Sequence, residues 1–390
     1  MAVTPDHEVQ SPPPGRFAGG SWRLDLVLPI AAVIVGVVVI GVITSPGPSG
    51  PVWVQQRGPT GPIALDSLVA AESGFALLSR VTEDGVVLWS SEDGASWQYQ
   101  SLPPGSTPDR LAASGNLLVA YDGMKSLVLA YSNGSWEVTE EVVFPDEMRT
   151  GQGPGRPGLV PGLGGFVMTS IAGDVWWWDL ESFQPVVTSP DWGPGQTVEV
   201  PFDSSCQPPT RISPDVPPIA STDRGFAALV SSNPDEPFGI WPVCEPEMFL
   251  SGDGRSWDRS GVVLDDGAYV YGLAVREGRF IAVGGRGIDE PAVWTSTVDS
   301  DWEAMETFDA LAGIELYTVR TGGAGWVIVG QETETSSPLG WVSPDGSCWT
   351  ALPAEVDGDD AAVAQGRIAL VHRVTYPEMW VTDMAGAGSC

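Results

Sequence analysis

Seven times between residues 74 and 366 the chain places a glycine before a short aromatic or aliphatic run. The runs are SGFALLSR (Gly74), SGNLLVAY (Gly115), GGFVMTS (Gly165), RGFAALV (Gly225), EGRFIAVG (Gly278), GAGWVIVG (Gly325) and QGRIALVH (Gly366), with successive gaps of 41, 50, 60, 53, 47 and 41 residues. After each comes a polar loop, a second apolar run and a tight turn. A β-rich unit of this length cannot bury its own apolar surface and has to stack on its neighbours. Seven such units predict an all-β chain folded as a seven-bladed β-propeller with four strands per blade. Composition agrees: one lysine against 48 Gly, 35 Pro and 17 Trp suits short strands joined by Gly/Pro turns.

The second runs and their turns read VVLWSSEDGASW, LVLAYSNGSW, DVWWWDLESF, MFLSGDGRSW, AVWTSTVDSDW, LGWVSPDGSCW and EMWVTDM. Three carry the full turn: Ser91, Asp93, Gly94 and Trp97; Ser251, Asp253, Gly254 and Trp257; and Ser343, Asp345, Gly346 and Trp349. Two are shortened or altered (132–136 and 296–302), and two have lost it. A catalytic residue is needed once, so a degenerate repeat points to a structural turn. In such a turn the aspartate accepts backbone N–H bonds, and the glycine takes a positive φ where a Cβ would clash. The phrase resembles the Asp-box, or BNR repeat, of sialidases and other β-propellers. The resemblance implies that the turn joins the third and fourth strands of a blade, on the lower face, opposite the ligand face. It implies a fold and leaves function open.

In the first blade DSLVAAES, GFALLSR, VVLWSS and SWQYQSL fill the four strands, innermost first. The last blade has AAVAQG, RIALVHR and EMWVTDM but no outer strand, while 51–56 (PVWVQQ) reads as a spare one. The expectation is that it pairs with EMWVTD and closes the ring, with a loose tether over 45–61 as the alternative. On the layout implied by the resemblance, Cys206 and Cys244 share the upper face, and Cys348 and Cys390 the lower. Disulfides 206–244 and 348–390 would satisfy both.

Leu26–Ile43 is 18 residues without a charge, near the lower limit for crossing a hydrocarbon core of roughly 30 Å. Trp22 and Arg23 stand at its front edge, and Arg16 and Arg23 bias residues 1–25 towards the cytoplasm. A single-pass signal anchor is expected, with a cytoplasmic tail (1–25), a transmembrane helix (26–43), a Pro/Gly-rich linker (44–61) and an extracellular propeller (62–390). A cleaved signal peptide competes with it, although no A-x-A site follows the apolar run. The net charge of −32 makes nucleic acid a poor partner, because binding it needs a basic footprint. The four cysteines in the exported part read as two disulfides.

Upper-face loops would gather Glu83, Asp84, Asp122, Asp174, Asp235, Glu236, Asp289, Glu290, Glu332, Glu334 and Glu378, with Trp241 in an apolar tip beside Phe238 and Ile240. That is either a solvated acidic rim or a face for a protein or glycan ligand. Sialidase chemistry fits poorly, since Arg276 and Arg320 end innermost strands at the lower face and the arginine motif expected before blade one is absent. The tyrosines Tyr269, Tyr271 and Tyr317 do lie on innermost strands. Another glycosidase would need two carboxylates at a suitable separation, which the sequence does not mark. His372 stands alone in an apolar strand, and no zinc set or nucleophile elbow is present. EVDGDDAA (355–362) is the one hint of calcium and lacks an EF-hand's spacing. The sequence thus predicts a membrane-anchored binding or scaffolding module, with a surface glycoside hydrolase as the alternative.

Overall fold

The computed structural model describes residues 52–57, 64–138, 158–187, 218–264 and 268–384, with breaks inside these ranges mainly at loops. The chain divides into two compact units, Met1–Pro46 and Gly47–Cys390. The first lies outside the described residues, and the expected span Leu26–Ile43 lies with it. No helix among the described residues is long and apolar enough to cross a membrane.

The second unit is built from seven antiparallel four-stranded sheets. Their innermost strands are Ala64–Ala71, Arg110–Ser114, Gly158–Gly162, Ile219–Thr222, Ala268–Arg276, Ile314–Gly322 and Asp360–Ala364, for blades one to seven. Each touches the innermost strand of the next blade, and the seventh touches the first. The result is a closed ring, the architecture of a β-propeller. Apolar residues alternate along the strands and meet between blades rather than within them. One cluster joins Phe280 and Trp294 of blade five to Ala227 and Met248 of blade four. Another joins Leu77 of blade one to Ala369 and Met379 of blade seven.

The ring closes on a strand from the front of the unit. Trp53–Arg57 pairs with Glu378–Asp383, matching Trp53 with Thr382 and Arg57 with Glu378, and supplies the outer strand of blade seven. Thr382 Oγ1 donates to the Val52 carbonyl at 2.9 Å. The closing strand therefore starts and ends slightly later than 51–56, and a stretch read as linker belongs to the folded unit. Trp53 packs against the cluster of blades six and seven that contains Val327, Val363 and Leu370.

Hairpins of two residues join each innermost strand to the second strand of its blade, so the innermost strands are in register around the ring. Three of them carry a bulge at the same height, where the strand register skips Asp66, Tyr271 and Tyr317.

Replacing Trp53 by Ala is expected to cost about 2 kcal/mol of the closed unit's stability, as for a half-buried tryptophan. Urea unfolding followed by tryptophan fluorescence would measure it, and an unchanged midpoint would contradict the role given to this strand.

Candidate functional site

Two surfaces could carry function: the face where the repeated turns lie, and the channel with its opposite, loop-bearing face. The turns are built alike. In blade one Ser91 Oγ accepts from Gly94 N at 2.8 Å, and Asp93 Oδ1 accepts from Ala95 N and Ser96 N, both at 2.8 Å. Blade four repeats this with Ser251 and Asp253, and blade six with Ser343 and Asp345. Gly94, Gly254 and Gly346 sit at φ +73, +71 and +76. The altered turn of blade five uses Ser300 instead, whose hydroxyl accepts from Thr297 N at 2.9 Å.

The same three blades open their second strand with a glycine at φ +135 to +144, or +138 in blade six. A Cβ on Gly74, Gly225 or Gly325 would lie 2.2, 1.9 or 2.5 Å from the carbonyl oxygen of Ser91, Ser251 or Ser343. The glycine that leads the repeat is therefore required by the turn at the far end of the same hairpin.

Each full turn also wedges into the preceding blade. A Cβ on Gly94 would meet Val381 of blade seven at 2.9 Å, one on Gly254 would meet Trp177 of blade three at 2.3 Å, and one on Gly346 would meet Ile281 of blade five at 3.1 Å. Arginines grip two of these turns. Arg367 of blade seven donates to the Asp93 carbonyl at 3.1 Å, and Arg279 of blade five donates to the Asp345 carbonyl at 3.2 Å and to Ser347 Oγ. Blade three has Phe166 where these blades have an arginine, and the turn itself supplies Arg255, 5.9 Å over the Trp177 ring. The turn tryptophans complete the wedges: Trp97 packs on the cluster of blades one and seven, Trp257 on that of blades three and four, and Trp349 against Phe308.

All three aspartates are held below the usual carboxylate range. For Asp93 the Ser96 N–H is the main cause, and for Asp345 the Ser347 N–H. Burial alone would raise Asp253, and the N–H groups of Ser256 and Arg255 outweigh it. A depressed folded-state pKa gives stability that is present above the unfolded value and lost as pH falls through the folded one. These carboxylates are occupied by their own backbone, so this face holds the blades together.

The channel is a cavity of about 350 Å³ lined by all seven innermost strands. Tyr271 and Tyr317, the two bulge tyrosines, line it with Asp360 and Arg110. Bulges re-aim side chains, which is how an innermost strand brings a large ring to the channel wall. Tyr269 meets Tyr271 edge-on at 5.2 Å. Sequence reasoning put these tyrosines on innermost strands and missed the bulges, because a bulge leaves no composition signal.

Of the acids expected on the loop face, Glu290, Glu332 and Glu334 are described and exposed, and the Glu290 carbonyl accepts from Arg286 N at 2.7 Å. The backbone of Asp122 ends a second strand there. Glu83, Asp84, Asp174, Asp235, Glu236, Trp241 and Asp289 lie outside the described residues, as do Cys206, Cys244 and Cys390. Cys348 is disulfide-bonded, and no described cysteine is free. Glu247 is pushed up by burial while Arg259, 3.1 Å away, pulls it down. No group of three or more metal-ligating side chains occurs among the described residues, so EVDGDDAA forms no cation cage there.

Two placements differ from expectation. His372 is not alone: its Nδ1 lies 2.9 Å from Asp357 Oδ2, at the entry to blade seven. Arg276 does reach the turn face, donating to the Pro344 carbonyl at 3.1 Å. Arg320 does not, because its strand runs two residues further, to Gly322, and it lines the channel instead.

No family model and no curated protein matches the chain. Solved structures do resemble it. YCF48 from Cyanidioschyzon merolae aligns at TM-score 0.51 and 11% identity over 85% of this chain and 98% of that one. A streptogramin B lyase aligns at TM-score 0.54 and 9% identity, covering 85% and 97%. The WD40 repeats of RRP9 align at TM-score 0.51 and 13% identity, also covering 85% and 97%. Identities this low show the shared β-propeller fold alone.

Replacing Asp345 by Asn is expected to cost about 1–2 kcal/mol at pH 7, through the loss of charge-assisted bonds. The difference should shrink as pH falls below 3.8, the ordinary aspartate value, because the unfolded carboxyl protonates there while the folded one stays ionised to a lower pH. Urea unfolding at pH 7 and pH 3 would measure both. A gap that stays constant across this range would show that the carboxylate charge is not what holds the turn.

Proposed function

We propose that this chain is a membrane-anchored, extracytoplasmic Asp-box propeller that binds or scaffolds a protein partner through its loop face and channel mouth. The observation that carries the reading is the division of labour between faces. The recurrent Ser-x-Asp-Gly turns are consumed in inter-blade contacts, while bulges turn Tyr271 and Tyr317 into the channel wall on the other side. Tyrosine offers large contact area with a polar tip and is enriched where proteins meet. The acids that the sequence assigns to the loops of that face would favour a basic segment of the partner.

Support from similar folds is general: one structure of YCF48 is of that protein bound to D1 peptide. The anchor rests on the uncharged run Leu26–Ile43. Cys390 is the proposed partner of the disulfide-bonded Cys348, on the face layout that the resemblance implies. A glycoside hydrolase acting from loop-face carboxylates is the second reading, and it rests on the abundance of acids there.

The test is photo-crosslinking from the full chain in membranes, with the crosslinker at exposed Glu334 on the loop face or exposed Ser347 on the turn face. Discrete protein adducts from position 334 and none from 347 are expected, and the reverse pattern would overturn the assignment of faces. Deleting residues 26–43 should release the protein from alkali-washed membranes. Turnover of any glycoside by the purified chain would replace the binding reading with the hydrolase one.

A further inference from the structure

We propose that the central channel is a binding site for a singly charged anion, held by Arg320. The register of the innermost strands makes the argument. Counting back two residues from each hairpin end, the seven blades present Val69, Ala112, Val160, Ala220, Ala274, Arg320 and Ala362. Six are small and apolar, and one is a guanidinium in the wall of the 350 Å³ cavity. The small residues leave the space that the long side chain and a bound ion need.

The second observation is the absence of an acid partner where acids abound. The chain has 50 Asp and Glu against 18 Lys and Arg. Other arginines are engaged: Arg259 with Glu247, Arg276 with Glu277 and the Pro344 carbonyl, Arg279 and Arg367 with turn carbonyls. Among the described residues Arg320 makes no ion pair. Its hydrogen bond is a long one, 3.4 Å from Nη1 to the carbonyl of its own neighbour Val319. A half-buried guanidinium in the cavity wall with a single long hydrogen bond has donors to spare, and its planar fork suits a carboxylate or a halide.

The surrounding field selects the charge. Attraction to a single guanidinium grows in proportion to the anion's charge, whereas the cost of taking the anion out of water grows with the square of that charge, so one arginine in a strongly acidic protein favours a monoanion over a dianion. Nearer the loop face the same wall holds one group of each sign, Arg110 and the buried Asp360. The occupant is therefore a monoanion: a free halide, or the carboxylate of a segment entering the channel. This inference does not rest on the protein-binding reading.

The experiment is calorimetric titration of the full-length protein with sodium bromide, sodium acetate and sodium sulfate at matched ionic strength. It compares wild type with Arg320→Gln, Arg320→Lys and, as a control on the turn face, Arg279→Gln. Wild type should bind bromide or acetate more tightly than sulfate. Arg320→Gln should weaken that binding at least tenfold, Arg320→Lys should retain part of it, and Arg279→Gln should leave it intact. Acetate binding without bromide binding would assign the site to a carboxylate; binding of both would assign it to small free anions. Equal binding by wild type and Arg320→Gln, or tighter binding of sulfate, would overturn the proposal. Should Arg320→Gln fail to fold, Arg320→Lys carries the comparison: affinity for all three anions equal to wild type would then count against the site.

Discussion

Everything in the ring depends on one ladder, the pairing of Trp53–Arg57 with Glu378–Asp383. A stack of sheets whose apolar clusters lie between blades has two exposed ends until the last blade meets the first. The innermost strands of blades seven and one touch, and the cluster of Leu77, Ala369 and Met379 is buried, only in a closed ring. Without an outer strand, Glu378–Asp383 would present a free edge at that junction. The closing strand removes the edge and ties the two ends of the unit in one step.

Within the ring the strongest local device is the turn, and it acts between blades. The three full copies stand at the junctions of blades seven and one, three and four, and five and six, where each pushes a left-handed glycine into its neighbour. The preceding blade answers with an arginine at two junctions, and at the third the turn brings its own. The degeneracy of the repeat then has a physical reason. The full phrase survives where it is both wedge and lock, and the blades that grip it have lost or altered their own.

Much of this was legible from the residues. The leading glycines gave the blade count, and the unpaired third strand of blade seven pointed to a closing strand near residue 51. Hydrogen bonds inside the turn follow from Ser-x-Asp-Gly itself. What stayed hidden depends on distance along the chain. Arg279 meets its turn 66 residues away and Arg367 meets its own 274 away, and no local pattern encodes such partners. Arg320 was misplaced because an innermost strand can run two residues further without any change in its apolar pattern. The bulges at Tyr271 and Tyr317 likewise shift a side chain with no signature in composition, and Asp357 reached His372 from a connection that reads as a plain acidic loop.

The position of the closing strand also decides how the molecule meets force and time. Val52 and Thr382 are 330 residues apart, so the ring cannot seal until nearly the whole chain has been made, and the first strand of the unit must wait for the last. Once sealed, any tension arriving through the chain ahead of Val52 falls on that ladder before it reaches another blade. The strand that completes the fold is thus also its mechanical fuse: the first contact to give way under a pull, and the last to re-form after it.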